Sequence, residues 1–403
     1  MSSAMPMGKL LLLIVMLAAV GQMTQTMYVP SIGVMATDFA VSASRLQAVM
    51  ACYLIPYGLS QFIYGAVSDR VGRKPVILAG LVLFLVGTGV TLLVSSFNGF
   101  LIGSVVQGAG IGCGGAMART LPRDCFSGAK LHRANSLVSM GLIFSPLLAP
   151  LLGGFLTEAL NWRASYFFLL LLGIAVYAIM TLRFTETLPR ESRQPGHFGT
   201  RYRHVMGSRR FRGYLLCLVT VFAGVSLFEA AAGVIMSDTM ALSPRMISLL
   251  FVVPLPAYLV GAGLSSRFAD SLGYYATLAL GSVLALMGAG LITLPGLMGE
   301  VSLYALIGGG CVYFAGAGIL FPAASTGAIS PFPHHAGTAG AILGGTQNLL
   351  AGVVTLVASQ LGVASQLSLG AIMLILGTLA TIGLFISYHA ETHGDDHASL
   401  TAH

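Results

Sequence analysis

Long apolar runs separated by short polar stretches recur from one end of the chain to the other. A helix needs about 20 such residues to cross the hydrocarbon of a bilayer. The pattern predicts twelve spans: Lys9 to Pro30, Arg45 to Ala66, Pro75 to Val94, Gly99 to Met117, Ala134 to Thr157, Trp162 to Phe184, Gly213 to Met236, Met246 to Ser266, Tyr274 to Pro295, Val301 to Phe321, Ala336 to Gln360 and Leu369 to Ser387. The first run continues through Gln22 and Tyr28 without a cleavage-like end, so it reads as a span and not as a removable leader.

Composition points the same way. Of 403 residues, 56% are apolar or aromatic and 8% charged, and the mean hydropathy is +0.87. A soluble domain carries about a quarter charged residues. The partner of this surface is therefore a lipid bilayer, and the expected fold is an all-α membrane protein. The five cysteines are scattered and unpaired in spacing, which implies neither a disulfide framework nor a zinc site.

The net charge of +7 resides in loops, which argues for topology and against nucleic acid. With the N-terminus placed in the cytoplasm, seventeen Lys and Arg fall on that side, whereas Arg45, Arg163 and Arg245 fall opposite. That bias puts both termini in the cytoplasm.

A basic, Pro- and Gly-containing stretch divides the chain. Residues 1–184 form an N-terminal six-helix half, 185–210 a cytoplasmic linker, 211–390 a C-terminal six-helix half and 391–403 a polar tail. Two echoes suggest a duplicated unit: Gly108-Ala109-Gly110-Ile111 recurs as Gly316-Ala317-Gly318-Ile319, and Ser68-Asp69-Arg70 has a degraded counterpart in Ser265-Ser266-Arg267. Two such halves are the layout of secondary transporters, with a cavity between them near the membrane midplane.

The loop Gly65-Ala66-Val67-Ser68-Asp69-Arg70-Val71-Gly72-Arg73-Lys74-Pro75 resembles, almost position for position, the signature of the major facilitator superfamily. The resemblance implies a conformational latch made by Gly65, Asp69, Arg70, Gly72, Arg73 and Lys74. Gly65 would permit close helix approach, and Asp69 would sit against the dipole of a helix in the other half, at Gly337 to Gly340. Ala149-Pro150-Leu151-Leu152-Gly153-Gly154 looks like the antiporter signature of that superfamily, a bend in which Pro150, Gly153 and Gly154 serve a hinge. Gly108 and Gly112 are helix-packing positions of the fourth span. Ser104 stands where relatives place an arginine, so a relay role for that arginine does not carry over. With Met27-Tyr28-Val29-Pro30, Glu186-Thr187-Leu188-Pro189 and Arg119-Thr120-Leu121-Pro122-Arg123-Asp124, the chain is similar over nearly its full length to the twelve-span drug:proton antiporters. That similarity implies a monomeric exporter of amphipathic or cationic drugs in a bacterial inner membrane, driven by the proton gradient without a cofactor.

One acid lies deep in a span. Glu229 is sixteen residues beyond Gly213 and seven before Met236, roughly 10 Å from the outer end of its helix. A carboxylate at that depth is costly unless it faces a cavity or holds a proton, which makes Glu229 the candidate for proton or cation coupling. In many relatives an aspartate precedes the tyrosine of the first span by two residues; here that residue is Thr26.

Tyr53, Tyr57, Gln61 and Tyr64 share one helical face and suit planar or cationic drugs, with Tyr64 the residue best placed as a membrane anchor. Gln22, Gln25 and Thr26 add polar groups that lipid would not accommodate cheaply, and Phe222, Phe228, Gln347 and Asn348 are the counterparts in the second half. His389, His393 and His397 have helical metal-ligand spacing but lie in a polar tail, and no metal site is expected. No nucleophile constellation or phosphate-cradling loop appears, so an enzyme is not predicted. A proton-coupled carrier of a small nutrient would share this fold, but calls for several polar groups at mid-depth.

Overall fold

In hydrocarbon a backbone must satisfy its own donors and acceptors, so apolar runs of this length fold as helices. The computed structural model describes residues 7–189, 193, 198–332 and 335–393. Its regular structure among those residues is helical: α1 (Met7–Thr26), α2 (Ile32–Asp38), α3 (Gln47–Val71), α4 (Arg73–Leu93), α5 (Phe97–Cys125), α6 (Gly128–Ala159), α7 (Arg163–Arg183), α8 (Phe198–Gly207), α9 (Arg209–Val234), α10 (Pro244–Val252), α11 (Pro254–Leu272), α12 (Tyr274–Leu297), α13 (Leu303–Ile329), α14 (Ala336–Gln360) and α15 (Gln366–Thr392).

Eleven of the described helical stretches are long and apolar enough to cross a membrane; the fifth predicted span lies in α6, whose apolar described part is Leu148–Ala159. The chain is a multi-pass membrane protein. Helix ends depart from the sequence pattern where proline or polar turns intervene. Pro30 has no N–H to give, so the first span passes through the tight turn Val29–Ser31 and continues as α2. The eighth span is likewise divided at Pro254 into α10 and α11. The fourth runs on to Cys125, which draws Arg119 and Arg123 from the expected loop into the helix. A helix, α8, occupies part of the predicted linker, and α15 extends to Thr392, whereas residues 394–403 of the tail, His397 among them, lie outside the described residues.

Each half has the same neighbours. In the first, α3 and α4 pack on α5, α4 on α7, and α1 on α6; in the second, α11 and α12 pack on α13, α12 on α15, and α9 on α14. Across the halves α3 meets α14 and α6 meets α10. Close glycine contacts fix the register of the duplication. Gly110 backs onto Gly80 O as Gly316 backs onto Gly281 O, while Gly112 and Gly318 approach the carbonyls of Tyr57 and Tyr258. The two Gly-Ala-Gly-Ile strings are thus two residues out of step as structural equivalents. Gly72 and Gly273 open α4 and α12 with φ of 108° and 89°, so the counterpart of the Asp69 loop is Asp270 to Gly273, not Ser265 to Arg267.

Candidate functional site

Small residues bring α9 against the first half. A side chain at Gly233 would meet Val29 Cγ1 at 2.6 Å, and Ala230, Ala231 and Ala232 are fully buried. One turn earlier stands Glu229, 7% exposed, and Gln25 Nε2 donates to its Oε2 at 3.1 Å. The carboxyl therefore faces the other half of the protein and not the acyl chains. An amide is a fitting partner, because it donates to a carboxylate and can accept from a carboxylic acid. Nearby, the Tyr28 phenol lies within electrostatic reach of Glu229. Thr26 Oγ1 and Ser226 Oγ are buried without a hydrogen-bond partner among the described residues. Buried hydroxyls are seldom left unpaired, so these groups have spare capacity for a polar ligand.

The tyrosine stripe on α3 is continuous, and it turns inward to its own half. Tyr53 and Tyr57 stack with ring centroids 5.6 Å apart, and Tyr53 donates to Gly21 O at 2.7 Å. Gln61 Oε1 accepts from Arg119 Nη1 at 3.1 Å, and Tyr64 is half-buried. The face of α3 that meets α14 is instead Ile55, Gly58 and Phe62, where the sites of a Cβ on Gly58 and the Gly345 carbonyl oxygen lie 2.6 Å apart. In the second half, Phe228 is enclosed against Phe314 and Gly310, and Phe222 packs edge-on to Phe321. Asn348 Nδ2 donates to Gly344 O of its own helix, while Gln22 and Gln347 are half-buried. Of the predicted substrate residues, Gln25 is the one whose side chain bonds Glu229. Arg119, the Tyr28 phenol and the α3/α14 glycines Gly58, Gly345 and Gly352 were not given a role from sequence. An arginine at a span's polar end reads first as a topology anchor.

The loop signature builds a charge network at the α3/α4 end of the first half. Arg73, 5% exposed, donates from Nη1 to Asp69 at 2.5 Å and to Ser68 Oγ at 2.6 Å, and from Nε to Asp124 at 2.8 Å. Glu186 caps α4 by accepting from the backbone N–H groups of Arg73 and Lys74 at 2.9 and 3.1 Å, and Lys74 Nζ reaches Thr181 O. Gly72 leaves no room for a side chain beside Glu186 and Arg193. Arg70 is exposed, and a side chain at Gly65 would meet nothing within 4 Å, so the close approach expected there lies elsewhere. Asp69 is bound to Arg73, and the side chains that reach Gly337 and Gly340 are Arg119 and Arg123. On α8, burial, with the Asp69 charge added, pushes the Tyr202 phenol above the usual tyrosine range. Arg73→Ala leaves two carboxylates without their cation and is expected to cost about 3 kcal/mol of stability. Thermal unfolding of the purified protein checks this, with Asp69→Asn, whose own side chain is partly exposed, showing the smaller loss.

The bend in α6 is an inter-half contact. Gly153 backs onto Met27 O just past the end of α1, while a side chain at Gly154 would come within 2.6 Å of Ser248 on α10, one turn beyond the buried Pro150. Gly108 fits against the Tyr53 carbonyl and Gly112 against Ser60, both within the first half. Ser104 is buried and returns its hydroxyl to Phe100 O.

A model of the Major Facilitator Superfamily matches residues 11–355. Multidrug resistance protein D of Escherichia coli (strain K12) is 43% identical over 374 residues, which cover 93% of this chain and 94% of that protein. The chloramphenicol resistance protein of Pseudomonas aeruginosa is 28% identical over 376 residues, 91% of this chain and 87% of the relative. Among solved structures, the human organic anion transporter MFSD10 aligns with a TM-score of 0.69 over 95% of this chain and 99% of that one, at 18% identity, a likeness of fold.

Proposed function

This chain belongs to the major facilitator superfamily, and we propose that it exports amphipathic or hydrophobic drugs by proton antiport through alternating access. It is a transporter, not an enzyme. The observation that carries the mechanism is the hydrogen bond between Gln25 and Glu229, because it sets the one deep acid at the junction of the two halves. An ionised Glu229 holds Gln25 by a charge-assisted bond, and a proton or the polar end of a drug competes for the same oxygens. Exclusive occupancy by one or the other couples inward proton movement to outward drug movement.

The remaining parts follow from that cycle. The proton gradient supplies the energy, so no cofactor is required. The seventeen-to-three bias of Lys and Arg supports an inner-membrane orientation with both termini cytoplasmic. The two halves, residues 1–184 and 211–390, rock as units about the α3/α14 and α6/α10 contacts of a single chain, joined by the linker 185–210. Cells that overproduce the protein should clear an accumulated lipophilic dye faster than control cells, and a protonophore should remove the difference. Energised efflux that survives the protonophore rejects proton antiport.

A further inference from the structure

Six arginines of the described residues are partly or fully buried: Arg73, Arg119, Arg123, Arg163, Arg193 and Arg210. Four of them have a carboxylate within 4.0 Å: Asp69 and Asp124 for Arg73, Asp38 for Arg163, Glu186 for Arg193 and Glu391 for Arg210. Arg119 and Arg123 have none among the described residues. Asp124, next in sequence, is engaged by Arg73. Charges withdrawn from water are ordinarily compensated, so two uncompensated cations on one helix face call for a partner.

Their surroundings fit a particular partner. A side chain at Gly337 would meet Arg123 Nη1 at 3.0 Å, one at Gly340 would find Arg119 Cδ at 3.9 Å, and one at Gly344 would overlap the Arg119 guanidinium. Glycines at spacings of three and four thus clear one face of α14 for both guanidinium groups. The first turn of that helix adds its own positive pole and its free backbone donors. Positive charge faces positive charge here, an arrangement that an anion relieves. The walls are mixed: Gln61 holds Arg119, and Phe62, on the face of α3 that meets α14, stands against Gly345.

We propose that Arg119 and Arg123, facing the first turns of α14, form an anion-binding subsite at the cytoplasmic mouth between the halves, which receives the carboxylate, sulfonate or sulfate head of an amphipathic anion bound for export. It rests on the export reading and widens the cargo from hydrophobic and cationic compounds to monoanions. Guanidinium groups grip such planar or tetrahedral oxyanions through paired N–H donors, and Phe62 takes the apolar body. The anion neutralises the contact between α5 and α14 and is released when the two helices part.

The test uses 1-pyrenesulfonate and its neutral analogue 1-pyrenemethanol with the purified full chain in a neutral detergent, read by pyrene fluorescence. The wild type is expected to bind the sulfonate about tenfold more tightly than the alcohol, Arg119→Gln and Arg123→Gln to lose about tenfold, and Arg119→Lys to keep most of the affinity. Equal binding of sulfonate and alcohol by the wild type overturns the proposal even where a variant fails to fold, and so do glutamine variants with wild-type affinity. In vesicles of phosphatidylcholine, added phosphatidylglycerol should leave the sulfonate bound; displacement would assign the site to a lipid headgroup and overturn its role in cargo recognition. Efflux of tetraphenylphosphonium by the wild type, measured in parallel, separates a failure of the export reading from a failure of this one.

Discussion

Glu229→Gln is expected to abolish the drug gradient that the protein sustains while sparing its fold. Glutamine keeps the volume of the side chain and can still hydrogen-bond Gln25, so the contact between α9 and the first half survives without a titrating group. What disappears is the coupling. One proton moving inward down a 100 mV potential and a tenfold concentration ratio releases about 3.7 kcal/mol, enough to hold a roughly 500-fold gradient of a neutral drug. Without the exchange of proton for drug, that ratio should fall to about one, a loss of the full 3.7 kcal/mol, and drug binding to the detergent-solubilised protein should release no protons. Facilitated movement of drug down its own gradient should persist in vesicles made with the variant. Undiminished proton release on drug binding would remove Glu229 from the coupling role.

How much of this was legible before the structure depended on what lipid does to sequence. Span number and fold class were readable because a bilayer imposes a length on every apolar run. Glu229 was readable because a single acid in such a run is conspicuous. Facing directions were not. In water a helix betrays its buried side by the polarity of the other, but Leu, Val and Gly serve equally against lipid and against protein, so α3 offered two credible faces. The Tyr53, Tyr57 and Gln61 face carried the chemistry and the Gly58 and Phe62 face carried the contact with the other half, and only packing distinguishes them. Glycine repeats misled for a related reason: in a chain with 51 glycines a string recurs by chance, and its register shows only when each glycine is seen against the carbonyl it accommodates. Arg119 was hidden by its neighbours, since a cluster of basic residues at a span's end has topology as its simplest meaning.

The α3/α14 contact supplies the second large effect. The space a Cβ on Gly58 would fill is bounded by Gly345 O at 2.6 Å and Leu349 N at 2.7 Å, and that on Gly352 by Ile55 N at 2.8 Å. These are backbone atoms, which cannot rotate aside as a side chain would. Leucine at position 58 therefore cannot coexist with the present separation of the halves, and α14 must withdraw. The cost falls on this conformation alone, since a state in which the two helices are apart has room for the side chain. An overpacking penalty of about 3 kcal/mol confined to one state shifts the equilibrium against it roughly a hundredfold. Alternating access requires passage through that state, so export by Gly58→Leu should fall by about two orders of magnitude, and Gly58→Ala, with a smaller clash, should retain more. Spin labels at the exposed Leu59 and Leu361 should report a longer separation in the leucine variant. Gly89→Leu is the matched control, because a side chain at Gly89 meets nothing within 4 Å, and it should export as the wild type does. Equal activity of the Gly58 and Gly89 variants would mean that the cycle does not depend on close approach at this contact.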